Sequence, residues 1–125
     1  MTSREIDAVV AEKIMAWYRI QKTTGVFGMP TYYGLTLHDD ARGAYEIPRY
    51  SSDIGAAFQV VETMRKQGWT FCCSDAFTGS TVVNGPWWVE FTHDIPERSG
   101  HATGPTVALA ISNAALKAVG VEVEQ

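Results

Sequence analysis

The period of the apolar residues changes abruptly at Gly68, and that change limits what the chain can become. Before it, Ile54, Ala57, Phe58, Val61 and Met64 recur every three or four positions, the spacing of one helix face. After it, Trp69, Phe71 and Cys73 alternate with Thr70, Cys72 and Ser74, the spacing of a half-buried strand. A chain that switches period once in this way has to pack a helix against a sheet. With 125 residues, 46% of them hydrophobic, one core forms and two do not. The whole of 1–125 is therefore expected to be a single domain.

Two further helices follow from the same pattern. Ile6, Val9, Val10, Ile14 and Trp17 lie on one face of a first helix. Thr2 or Ser3 is its cap, Glu5 sits in its first turn, and Trp17-Tyr18 marks its end. The central helix is expected over Ser52–Gln67, with Gly68 as the stop. The last runs from Thr106 to Val119, capped by Thr103 or Gly104, with Pro105 at its first position and Gly120 ending it. Its Val107, Ala110, Ile111, Ala114 and Ala118 make a narrow face of mostly small residues.

A second strand is expected at Trp87–Thr92, where Trp87, Val89 and Phe91 alternate with Trp88, Glu90 and Thr92. Asp75–Pro86 joins it to the first as an extended hairpin, with strand character at Thr81–Val83. Ile95–Pro105, with two prolines and two glycines, reads as a loop. Residues 20–50 are broken by Gly25, Gly28, Pro30, Gly34, Gly43 and Pro48. They leave room only for strand pieces at Tyr32–Leu37 and Ala44–Ile47 and a hairpin around Asp39-Asp40. Val121–Gln125 alternates apolar and acidic residues in the manner of an edge strand. The fold class is α+β: a small, mostly antiparallel sheet layered with three helices, in an α-β-α sandwich-like order.

Charge and composition exclude several functions. The net charge is −4, with ten Lys and Arg against fourteen Asp and Glu, which argues against binding to duplex DNA. No apolar run approaches a membrane span, and the amino-terminal residues lack a signal-peptide core, so a cytoplasmic protein is expected. Cys72 and Cys73 are too close for an easy disulfide; on a strand they face opposite ways, so one is expected to be buried. His38-Asp39-Asp40 and His93-Asp94 read as turn chemistry and His101 is isolated, so no metal site is expected. No nucleophile motif is present, so no catalytic residues are assigned and the chain is read as a non-enzyme without a cofactor.

The aromatic supply is the unusual feature: four Trp, five Tyr and five Phe. Trp87 and Trp88 are neighbours on a strand and must face opposite ways, so one of them meets a second layer, a partner or a ligand. Arg49-Tyr50 places a guanidinium and a ring beside a helix amino-terminus, a combination suited to a planar phosphorylated ligand; the alternative is a solvated Arg49 and a Tyr50 that packs ahead of the cap.

Three stretches resemble the phage ABA sandwich domain family. They are Arg4–Trp17, Tyr50–Glu62 with its Tyr-Ser-Ser-Asp-Ile opening, and Ala102–Pro105 followed by Ala108–Gly120; Trp88–Phe91 adds a fourth piece. The resemblance implies a viral or prophage source and a layered α-β-α fold. Where relatives carry a Cys-Arg pair in the final helix this chain has Ser112-Asn113, so the resemblance assigns no phosphate role to that helix. By analogy of size and of aromatic-plus-arginine content, the chain is similar to phage anti-defence sponges, which sequester nucleotide immune signals such as cyclic oligonucleotides or cyclic ADP-ribose derivatives without cleaving them.

A ligand of that class would be expected at Trp17, Arg49, Tyr50, Trp87, Trp88, Arg98, Thr103 and Gly104. The rings would stack on a base, the arginines would meet phosphate, and Thr103 and Gly104 would donate from the third helix. The alternative is a protein–protein module that redirects a host enzyme or polymerase, anchored by the same tryptophans. The exposed Trp and the small-residue face at Ala110, Ala114, Ala115 and Ala118 further suggest a symmetric homo-oligomer, a dimer or a multiple of it.

Overall fold

A computed structural model describes residues 2–24, 30–36, 45–75, 86–94 and 97–122. The described elements run α1 (Ser3–Lys13), β1 (Tyr18–Thr24), β2 (Pro30–Leu35), β3 (Tyr45–Glu46), α2 (Ile54–Lys66), β4 (Thr70–Asp75), β5 (Trp87–Asp94), β6 (Glu97–Gly104) and α3 (Val107–Ala118). The class is α+β, as expected. The strands form two three-stranded antiparallel sheets, ordered β1-β2-β3 and β4-β5-β6.

Each helix begins at a side-chain cap. Thr2 accepts from the Glu5 amide, Asp53 from the Gly55 amide and Thr106 from the Leu109 amide. For α2 the cap is thus Asp53, and the helix begins at Ile54 rather than at the expected Ser52. For α3 it is Thr106, not Thr103 or Gly104, because those two residues belong to β6. Gly68 and Gly120 stop α2 and α3 in the left-handed region, at φ 97° and 90°. The first helix ends at Lys13, short of Trp17: Ala16 adopts φ 61° and turns the chain into β1.

Two segments differ from the sequence expectation. Ile95–Pro105 is not simply a loop, since 97–104 pair with β5 along their whole length, from Asp94↔Glu97 to Trp87↔Gly104. Residues 18–24, read as irregular, form β1, whose register with β2 shifts between Tyr18 and Gln21 beside Arg19 at φ 52°. The expected hairpin at Asp39-Asp40, the strand at Thr81–Val83 and most of the Val121–Gln125 strand lie outside the described residues.

The core centres on α3, which packs on β5 and β6, on α2 and on α1; α1 in turn meets β1 and β2. Burial of α3 is nearly complete, from Ala108 to Ala118 with Leu109 and Lys117 only half-buried. The small residues make this possible. A Cβ on Gly100 would strike the Ala118 backbone nitrogen and lie 2.6 Å from Ala118 Cα; a Cβ on Gly104 would lie 3.1 Å from the Ala110 nitrogen. The face at Ala110, Ala114, Ala115 and Ala118 is therefore consumed within the chain and is not free for a second copy.

On α2 the buried stripe is Ala56, Ala57, Val60, Val61 and Met64, which leaves Ile54 and Phe58 about half exposed, at 48% and 45%. The expected stripe was rotated toward these larger residues. Neither cysteine is buried: Cys72 and Cys73 are free thiols, both exposed, because β4 is the edge of its sheet.

Candidate functional site

The β4-β5-β6 sheet has two unlike faces. Inward, Val89, Phe91 and Ala102 are buried beneath α3. Outward, three cross-strand rows follow from the register: Ser74, Trp88 and Thr103; Cys72, Glu90 and His101; Thr70, Thr92 and Ser99. This outer face is exposed or half-buried throughout. Trp88 stands on the central strand, in the row at one end of this face, half-buried. Its ring lies 6.4 Å from that of His101 at an interplanar angle of 34°. Hydroxyls of Ser74 and Thr103 flank it on the neighbouring strands, and the Glu90 carboxylate follows two positions along β5. A flat aromatic surface ringed by hydroxyl and imidazole groups can stack on a planar ring and hydrogen-bond its edges.

The eight residues expected to form one site do not gather into one. Trp88 and Thr103 are neighbours on the outer face. Trp87 and Gly104 are paired on the opposite, inward face. Trp17 and Tyr50 meet elsewhere. Trp17 packs against Gly34, where an added Cβ would lie 3.0 Å from its ring, and its side chain hydrogen-bonds the Tyr50 phenol. Tyr50 is 1% exposed, so its ring is core. Burial pushes its hydroxyl up to about 12, with the Trp17 hydrogen bond opposing and nearby Asp7 adding to the rise.

Arg49 is exposed, on the turn whose carbonyl accepts from the Ser52 and Asp53 amides. Arg98 closes the carboxyl end of α3: its Nη2 donates to the Ala118 carbonyl at 3.1 Å, and its guanidinium lies 5.7 Å over Trp69. Thr103 and Gly104 cannot donate from a helix terminus, being strand residues.

A buried polar seam was not anticipated. Asp7, fully buried, accepts from the Ser51 amide at 2.7 Å and from Arg4 Nη1 at 2.7 Å. Arg4 Nη2 donates to the Ile47 carbonyl at 2.8 Å. The Ser51 hydroxyl donates to the Ser3 carbonyl, and the Ser112 hydroxyl to the Tyr50 carbonyl at 2.9 Å. The seam ties α1, the 47–51 turn and α3 together. Arg4-x-x-Asp7 was its only local signal, and that spacing is common on exposed helices. Ser112 thus holds the fold where relatives were expected to carry a cysteine.

Among the described residues no three His, Cys, Asp or Glu come together in a way that would hold a metal. No described helix is long and apolar enough to cross a membrane.

A layered α+β domain with an aromatic outer sheet face is the class these features define. A family model described as the phage ABA sandwich domain matches residues 8–116, and the chain belongs to that family. It is similar to the crystal structure of a phage protein from Bacillus cereus, with a TM-score of 0.71 at 22% identity. That likeness covers 99% of this chain and 93% of the other, and it concerns the fold alone. No curated protein matches the chain.

Proposed function

We propose that this phage protein is an anti-defence binding protein that captures a nucleotide-derived immune signal, of the cyclic oligonucleotide or cyclic ADP-ribose type, and holds it without cleaving it. The observation that carries this reading is the Trp88–His101 pair on the outer face of the β4-β5-β6 sheet, flanked by Ser74 and Thr103. A base stacks on Trp88, and the hydroxyls and the imidazole meet its edge or a ribose. Trp17 and Tyr50 contribute by fixing the 47–51 turn from which Arg49 projects, rather than by touching the ligand.

The family match to a phage domain supports a viral setting, in which removing a host signal is advantageous. Thermal unfolding in the presence of cyclic dinucleotides, cyclic trinucleotides and cyclic ADP-ribose isomers tests the reading. A raised melting temperature with at least one of them, lost in Trp88→Ala, together with recovery of the intact ligand after denaturation, is expected. No shift with any member of the panel would overturn it, and a cleaved product would make the protein an enzyme instead.

A further inference from the structure

Natural sheets protect their edge strands with charge, proline, bulges or cover. The edge strand β4, Thr-Phe-Cys-Cys-Ser-Asp, carries no charge, proline or bulge within its first five residues, and among the described residues no strand pairs with its free edge. Five of its six residues are exposed, and only Phe71 is half-buried. Beside the same edge runs α2, whose Ile54 and Phe58 side chains are left about half exposed. Phe58 meets Phe71 edge to face at 6.3 Å. A cleft lined by Arg65, Gly68, Trp69, Thr70 and Phe71 opens there as well.

We propose that β4 pairs antiparallel with β4 of a second copy, joining the two sheets into one of six strands about a two-fold axis at Cys72. The symmetry dictates most of this. Side-by-side antiparallel pairing of identical strands requires the axis to stand perpendicular to the sheet, so opposed residues share a face and their numbers sum to an even value. The centre of β4 then falls on Cys72 or on Cys73. Centred on Cys73, the Asp75 carboxylate would be held against the partner's Phe71 inside the paired strands and Cys72 would oppose the partner's Ser74, whereas centred on Cys72 the carboxylate falls beyond their end, at the side of the cleft that the partner's Arg65 lines. Centred on Cys72, Phe71 opposes the partner's Cys73 on the inner face and Thr70 opposes the partner's Ser74 on the outer face, apolar with apolar and polar with polar.

The same register carries Asp75 opposite the partner's Trp69, into the cleft that the partner's Arg65 lines, where the two charges are complementary. Both copies of α2 lie on the same side of the joined sheet, so Phe58 and Ile54 approach their counterparts across the axis. The occupant is a second copy rather than a foreign strand because the edge is complementary to itself: its one carboxylate meets its own arginine.

The native thiols report the register. Opposed residues of antiparallel strands have Cα atoms about 4.5–5.5 Å apart, within the span of a disulfide. Mild oxidation of the full chain should yield a covalent dimer in the wild type and in Cys73→Ser, and none in Cys72→Ser. Light scattering under reducing conditions should give twice the 13.7 kDa chain mass. Asp75→Arg should weaken dimerisation about tenfold through like charges at the cleft, and Asp75→Arg with Arg65→Asp should restore it. Both positions are exposed, so circular dichroism of these variants should match the wild type. A single-chain mass at micromolar concentration, or cross-linking that survives Cys72→Ser and vanishes in Cys73→Ser, would overturn the proposal. The test is independent of ligand capture, since none of its readouts involves Trp88 or a nucleotide.

Discussion

Replacing Gly100 with alanine examines how closely α3 lies on the sheet. The new methyl carbon would strike the Ala118 nitrogen and come within 2.6 Å of Ala118 Cα and 2.8 Å of the Ala114 carbonyl oxygen. All three are backbone atoms of one helix, so no side chain can swing aside. Either α3 withdraws by roughly an ångström or β6 bends away, as overpacking of a filled core requires. Withdrawal disturbs every other contact of α3, because Ala110, Ile111, Ala114, Ala115 and Leu116 are fully buried against several elements at once. Overpacking costs about 1–3 kcal/mol, and a backbone clash of this depth belongs at the upper end, about 3 kcal/mol. For a chain of this size that lowers the melting temperature by about 10 °C.

Gly55→Ala is the internal comparison. Its added Cβ would meet only Asp53 Oδ1 at 3.4 Å, and it lies in the first turn of α2, so the same substitution should stabilise by about 0.5–1 kcal/mol. Urea titration of the two variants beside the wild type reads both signs. A Gly100→Ala protein as stable as the wild type would refute the close packing of α3 on β6.

Other outcomes follow from the same geometry. Asp7→Ala strands the Ser51 amide and the Arg4 guanidinium at the seam, so denaturant unfolding should show a loss of about 3 kcal/mol. Tyr50 bears on alkaline stability. Its folded-state pKa, raised from 10.0 to about 12, means that the native state keeps a proton the unfolded chain releases. Its contribution is intact below pH 10 and disappears as pH rises toward 12, by about 3 kcal/mol in all. Tyr50→Phe should flatten that part of the stability profile, and an unchanged slope between pH 10 and 12 would count against the buried phenol. Trp88→Ala should leave the unfolding midpoint within about 1 kcal/mol of the wild type, because the ring is half exposed on the outer face, while removing any ligand-dependent stabilisation.

The elements legible in the sequence were those whose partners lie nearby in the chain. Three helices with apolar stripes were readable, two of them with glycine stops, as was β5, whose Val89 and Phe91 alternate with outward-facing residues. Strand β6 was not. Its inward residues are Gly100, Ala102 and Gly104, small because α3 rests directly on them, so the alternation that marks a strand is missing and only glycine and proline remain visible. The stripe of α2 was misplaced for a related reason. Large Ile54 and Phe58 drew the face toward themselves, whereas the burial is set by alanines that let α3 approach.

The site was legible in one respect. Period-two geometry required that Trp87 and Trp88 part company, and they do, Trp88 outward and Trp87 toward the core. Which arginines and tyrosines stand beside Trp88 depends on folding across tens of residues. Tyr50 is core and Arg49 exposed, the alternative that their place ahead of the α2 cap offered, whereas Arg98 closes a helix end with no local signal. His101 joined Trp88 because β6 exists, and β6 itself was hidden.

Mass spectrometry of the small molecules released on denaturing the protein, after expression beside an active nucleotide-signalling defence system, tests the functional reading most directly. An intact cyclic nucleotide or cyclic ADP-ribose derivative, present with the wild type and absent with Trp88→Ala, is the predicted result. A wild-type protein that releases no nucleotide under those conditions would contradict it.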